Sequence, residues 1–212
     1  HDLPIVRLPL SPCTLGLLHW NGASEYVKLY RRLRPLTDQY AVSETHAACV
    51  LPEGFLAWTL RRRNGIRYRV FVHGEELNII AQSRELACMA RLVFRDADML
   101  IANSHNTASL LRADWSIEDS RLQVLHPGVD TEAYCPAAPD PTARCRLGWN
   151  DRPVILTVGR LQQRKGQDHL IRAIAEICRE VPDVLYSIVG GGVDRQRLEG
   201  LVDELKLHDH VI

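Results

Sequence analysis

Short apolar runs alternate along the chain with longer stretches of helical periodicity. The runs are Tyr40–Ser43, Tyr68–Val72, Met99–Ala102, Leu122–Leu125, Val154–Val158 and Val184–Val189. Several are apolar almost throughout, the pattern of parallel strands covered on both faces. Helices are predicted between them near 53–62, 83–95, 106–113, 168–180 and 194–206. In the fourth, Leu170, Ile171, Ile174 and Ile177 fall on one stripe, and Val181-Pro182-Asp183 ends it. Strand-helix alternation of this kind predicts an α/β fold with a parallel, doubly wound sheet and right-handed crossovers. Leu3–Leu8 is strand-like from the start and Val211-Ile212 enters a further strand, so the chain is expected to be a fragment.

The pattern breaks between Tyr134 and Asp151. Pro136, Pro139 and Pro141 fall close together there, which favours a semi-rigid connector, although Thr142–Leu147 suits one helical turn. The expected division is a first Rossmann-like domain over 1–135, a linker over 136–152 and a second such domain over 153–212.

Composition narrows the partners. The 212 residues are 46% hydrophobic and 25% charged, an ordinary soluble profile. Lys plus Arg and Asp plus Glu number 26 each, so no global field draws in nucleic acid or an acidic membrane, and any anion site must be local. The six cysteines form no C-x-x-C pair, which favours reduced thiols over a disulfide framework or zinc. No apolar run approaches the roughly 18 residues of a membrane span, and no charged-then-apolar signal segment opens the chain. A cytoplasmic location is expected.

In a doubly wound sheet ligands bind beyond the carboxyl ends of strands. Strand Val154–Val158 runs there into Gly159-Arg160, and Lys165 stands at the entry of the next helix, whose start favours an anion. Gly159 lets the backbone turn; Arg160 offers a fork and Lys165 a point charge to phosphate oxygens. The Walker pattern fails, because Arg164 and Gly166 stand where its second Gly and its Ser or Thr belong. A solvated basic turn remains the plain alternative. Gly190-Gly191-Gly192 ends the following strand without the spacing of a dinucleotide fingerprint, so it is either a close-approach loop or an ordinary flexible turn.

In the first half, Val70-Phe71-Val72 runs into His73-Gly74-Glu75-Glu76, which places a titratable imidazole at a functional edge, or simply on the surface. Ser104, after Met99–Asn103, suits a ligand contact or a helix cap. Asp96-Ala97-Asp98 has the D-x-D form of a metal site but precedes its strand, at the edge away from the ligand, and reads as a helix-to-strand turn. No metal is expected.

In their order, Val72–Glu76, Ala102–Thr107, Leu125–Asp130, Leu156–Leu161 with Arg164-Lys165-Gly166, and Ile188–Gly192 resemble the family 4 glycosyltransferases. Within them the chain is similar to the GDP-mannose-dependent phosphatidylinositol mannosyltransferases. The resemblance runs over nearly the whole chain from about Arg7 and is most specific over 154–192. It implies a GT-B fold of two facing Rossmann-like domains, both incomplete here. It also implies that Arg160 and Lys165, with Gly159, hold a donor diphosphate and that His73 is catalytic, close to the transferred sugar. Gly74, Glu75, Ser104, Gly191 and Gly192 become contacts for donor or acceptor. The implied reaction moves a hexose, such as mannose, with retention of configuration onto a lipid or glycan acceptor. It needs no metal and no cofactor beyond the GDP- or UDP-linked sugar as co-substrate. A lipid acceptor would bring peripheral association with the inner face of a membrane, for which no amphipathic basic helix speaks. The family's first strand and glycine-rich loop would precede His1 and its paired glutamates would follow Ile212, so the chain alone is expected to be inactive. A sugar-nucleotide epimerase of the same architecture and a non-catalytic nucleotide-sugar-binding module are the competing readings.

Overall fold

The computed structural model describes residues 5–8, 16–18, 21–138 and 140–212, with the backbone alone at Pro141. They form two compact units, the first ending at Asp130 and the second beginning at Thr131.

The first unit is a parallel sheet in the order β1 (Glu44–Ala47), β2 (Arg67–Val72), β3 (Met99–Ala102), β4 (Leu122–Val124). Its helices are α1 (Gly22–Gln39), α2 (Phe55–Asn64), α3 (Glu75–Ala81), α4 (Arg84–Asp96) and α5 (His105–Trp115). Val70 stands opposite Leu100 and Ala102 opposite Val124, so β2, β3 and β4 deliver their carboxyl ends side by side. Tyr68, Val70, Val72, Val93, Leu100 and Leu111 are fully enclosed, and the one phenol among them donates to the Val93 carbonyl at 2.7 Å, as a buried hydroxyl must.

The strand predicted at Tyr40–Ser43 is displaced: β1 begins at Glu44. The reason is α1, which the hydrophobic pattern hides behind Pro35 and an arginine run although Tyr26, Leu29, Tyr30 and Leu33 make a helical stripe. Tyr40 N–H donates to Leu36 and Val42 N–H to Thr37, so the end of α1 already uses the donors that a strand at 40–43 would need. The expected strand at Leu3–Leu8 falls partly outside the described residues, and residues 5–8 hold no regular element.

The second unit pairs β5 (Val154–Val158) with β6 (Leu185–Val189) in parallel, with α7 (Gln167–Ile177) between them and α8 (Arg195–Leu205) after. Ile171, Ile174, Tyr186, Leu198 and Leu201 form its core. The run at Val211-Ile212 does pair with β6: Ile188 N–H donates to Ile212 and Ile212 N–H to Tyr186. Cover on both faces, expected of β5, is missing: Leu156 is 48% and Val158 72% exposed, because α7 and α8 pack under the opposite row of side chains.

The proline-rich segment is anchored to this second unit. α6 (Pro141–Arg146) starts with Asp140 accepting from Thr142 N–H, and Arg144 donates to the carbonyls of Asn150 and Arg152. Arg152 in turn donates to the carbonyls of Asp183, Val184 and Asp209. Among the described residues no helix is long and apolar enough to cross a membrane.

Candidate functional site

At the carboxyl edge of the second unit, β5 and β6 remain tied after they end as strands. Gly159 N–H donates to the Val189 carbonyl and Leu161 N–H to that of Gly191, both at 2.9 Å. This backbone-on-backbone approach sets the glycine requirement. A Cβ on Gly190 would collide with the Gly159 carbonyl, and one on Gly192 with the Leu161 carbonyl. Gly159 and Gly191 meet no such limit, since a Cβ on either would have no atom within 4 Å. The steric need for glycine therefore lies at Gly190 and Gly192, in the loop opposite Gly159.

Arg160 and Lys165 both lie exposed on the turn between β5 and α7. Gln163–Lys165 makes one 3-10 turn, and Gly166 then opens α7. Among the described residues no carboxylate pairs with Arg160 or Lys165. The turn is held from beneath: Gln167, 2% exposed, donates from Nε2 to the Arg160 carbonyl at 3.1 Å. Arg197 on α8 links Asp168 in the first turn of α7 (3.2 Å) to Asp194 after the glycine loop (2.7 Å). Burial alone would lift the Asp168 carboxyl, but the Arg197 guanidinium outweighs it and holds the group below its ordinary value. The result is a glycine loop and a basic turn fastened to one another, with two unpaired cations at a helix start. Chemically this arrangement suits an anion with several oxygens.

The first unit presents His73 at the end of β2. The exposed ring points Nε2 at the Ala48 carbonyl, 2.8 Å away, so Nε2 carries the proton and Nδ1 is the acceptor in the neutral ring. Three further bonds fix its backbone loop. His73 N–H donates to Glu76 Oε1 at 3.1 Å, and Asn103 Nδ2 donates to the His73 carbonyl at 3.2 Å. The Thr107 hydroxyl then donates to Asn103 Oδ1 at 2.7 Å. Gly74 opens α3 in the left-handed region at φ 84°, and a Cβ there would stand 2.7 Å from Thr107 Oγ1. Ser104 is engaged as the cap of α5, accepting from Thr107 N–H and donating to Thr107 Oγ1, both at 3.1 Å. Glu75 lies exposed in the first turn of α3. The His105 and His126 rings meet edge to face beyond β3 and β4, with centroids 5.3 Å apart. Asp96 bonds Trp58 and Arg95, and Asp98 bonds Arg61 and the Tyr68 N–H, uses that suit a helix-to-strand turn.

Sequence reasoning passed over Glu76, Asn103, Thr107 and Gln167, which position the exposed residues rather than stand out themselves. Glu76 carries the most weight: its carboxylate accepts from both Val50 N–H (3.0 Å) and His73 N–H (3.1 Å), joining the ends of β1 and β2. Burial pushes its carboxyl up against the pull of those two N–H groups. Glu76→Ala is expected to cost about 1–3 kcal/mol in urea unfolding, because the enclosed Val50 N–H and the His73 N–H both lose their acceptor. A raised folded-state pKa means that the native state binds the extra proton, so Glu76 supports folding most below its unfolded pKa and less as pH rises through the folded one. The deficit of the alanine variant is accordingly expected to shrink as pH rises above the ordinary carboxylate range.

Comparison with known proteins bears on the family and the fold. Residues 2–133 match the family model described as Glycosyltransferase Family 4, and residues 140–212 that for Glycosyl transferases group 1. The chain is 33% identical over 187 residues to a GDP-mannose-dependent alpha-(1-6)-phosphatidylinositol monomannoside mannosyltransferase of Mycolicibacterium smegmatis, covering 85% of this chain and 47% of that protein. It is 40% identical over 104 residues to a D-inositol 3-phosphate glycosyltransferase of a Nocardioides species, covering 47% of this chain and 22% of that protein. Among solved structures, Anabaena Alr3699/HepE in complex with UDP superposes with a TM-score of 0.75 at 21% identity, covering 90% of this chain and 52% of that one. The chain thus spans about half the length, or less, of the relatives it matches. The α/β architecture is that of the GT-B glycosyltransferases. On the family match over most of its length, the chain belongs to the family 4 glycosyltransferases.

Proposed function

We propose that the protein transfers a hexose from a nucleotide-diphosphate sugar with retention of configuration, and that this chain supplies the grip on the donor diphosphate. The observation that carries this reading is the pair of unpaired cations, Arg160 and Lys165, on a turn fastened to a glycine loop at the start of α7. Cleavage of the bond between the anomeric carbon and the phosphate oxygen leaves its electron pair on the diphosphate. Fixed cations and a helix start stabilise that charge as it forms. The acceptor hydroxyl bonds to the anomeric carbon and its proton leaves with the departing phosphate. His73, held through its backbone by Glu76 and Asn103, is the residue we assign to the transferred sugar. Gly74, Glu75, Ser104, Gly191 and Gly192 complete the assigned contacts, those of Gly74, Gly191 and Gly192 through backbone. No metal or further cofactor enters; the GDP- or UDP-linked sugar is the co-substrate.

Mannose from GDP-mannose is the donor we favour, and an inositol-bearing lipid the acceptor, on the likeness to the mycobacterial enzyme. Such an acceptor places the protein at the inner face of a membrane as a peripheral component. The test is transfer by the whole protein from GDP-mannose or UDP-glucose to phosphatidylinositol or a free glycan. Mannosyl-lipid is expected, and His73→Ala is expected to lower its rate about 100-fold or more, the scale of a positioned catalytic group. Donor binding without transfer to any acceptor would favour the non-catalytic module, and interconversion of the donor sugar without an acceptor would favour the epimerase.

A further inference from the structure

The basic turn rests on a residue that ought to be apolar if packing were its only task. Gln167 is 2% exposed, yet only one half of its amide is used: Nε2 donates to the Arg160 carbonyl, while Oε1 is buried without a hydrogen-bond partner among the described residues. A buried acceptor left without a donor is costly, and leucine or methionine would fill the same volume without that cost. The single bond that Gln167 does make runs to the backbone of Arg160, across the turn that also carries Lys165.

From this geometry we propose that Gln167 is a positioning residue for the donor diphosphate, fixing the Arg160 peptide so that its guanidinium is presented beside the start of α7. The proposal rests on the diphosphate reading given above. Gln167 touches no ligand; it removes backbone freedom from the turn between β5 and α7, so that less order has to be imposed on binding. Nearby Asp168 shows the complementary case, a carboxylate tied to Arg197 rather than to the turn.

The experiment is calorimetric titration of the chain with GDP, on the wild type, Gln167→Leu, Gln167→Glu, Arg160→Ala and Lys165→Ala, with thermal unfolding of each in parallel. Gln167→Leu is expected to bind GDP roughly three- to tenfold more weakly, the worth of one neutral hydrogen bond, while unfolding no earlier than the wild type. A merely structural glutamine would show the reverse, with lowered stability and unchanged affinity. In Gln167→Glu the ionised carboxylate cannot donate to the Arg160 carbonyl, whereas the protonated acid can. Its affinity relative to wild type is therefore expected to be poorer while the carboxyl is ionised and to recover as pH is lowered and the group takes up a proton. Wild-type affinity in Gln167→Leu, or no recovery of Gln167→Glu at low pH, would overturn the positioning role if the Arg160 and Lys165 variants bind weakly. Unchanged binding in those two variants would instead remove the diphosphate reading itself.

Discussion

Gly190→Ala is expected to unfold the second unit or to destabilise it by more than about 4 kcal/mol, the range reached only by specific structural conflicts. The added Cβ would fall on the Gly159 carbonyl oxygen, a backbone atom that no rotamer change can move. Nor can the two segments part easily, since Val158 and Val189 are in register immediately before them and the Gly159 N–H is bonded to the Val189 carbonyl. Relief would require opening the β5–β6 pair from its carboxyl end, which also loosens the packing of Tyr186 and Ile171 beneath. Gly191→Ala is the matched control. No atom lies within 4 Å of the Cβ it would add, and its cost is expected to stay below about 1 kcal/mol. Urea unfolding of the two variants, read by circular dichroism, separates close backbone approach from a merely flexible loop; equal stabilities would show that the approach is not required.

Loss of the two cations is expected to have the largest effect on binding. Arg160 and Lys165 have no carboxylate partner among the described residues, so alanine at either position breaks no ion pair and should leave stability within about 0.5 kcal/mol. Each is expected to contribute a charge-assisted hydrogen bond of about 1.5–3 kcal/mol to a diphosphate, or roughly 10- to 150-fold in affinity. Their effects should fall short of additive, because both act on one ligand through one turn. The contrast with Arg197 is informative. That side chain carries as much charge but is spent on Asp168 and Asp194, and it fastens the site instead of offering a hand to the ligand.

Much of the fold was readable from the apolar runs, and for a physical reason. β2, β3 and β6 supply buried side chains to the two cores, so burial wrote their positions into the sequence, and β5 was legible as an apolar run although only Ile155 packs against its core. β1 was misplaced because Glu44-Thr45-His46 carries a polar, partly exposed edge strand, and Glu44 finds its partners across the pair in Arg67 and Arg69. α1 and the short α3 were missed where Pro35 and the glycine-led turn at Gly74 masked their periodicity. At the site, Arg160 and Lys165 were visible because they follow directly on a strand end and precede a helix start in the sequence. The supports, Glu76, Asn103, Thr107 and Gln167, were not, since their meaning lies in backbone groups distant in sequence: Glu76 reaches Val50, and Asn103 reaches the carbonyl of His73. For the glycines, spacing left the loop at Gly190–Gly192 open between close approach and a flexible turn, and the backbone contacts of Gly190 and Gly192 decide for close approach.

The central claim is that Arg160 and Lys165 bind the phosphates of a nucleotide-sugar donor. The most direct measurement is the affinity of the chain for GDP and for guanosine, in the wild type and in the Arg160→Ala, Lys165→Ala double variant, at two salt concentrations. The wild type is expected to prefer GDP to guanosine, the preference to weaken as salt is raised, and the double variant to lose it by roughly 100-fold or more. Equal binding of GDP by the wild type and the folded double variant would contradict that claim.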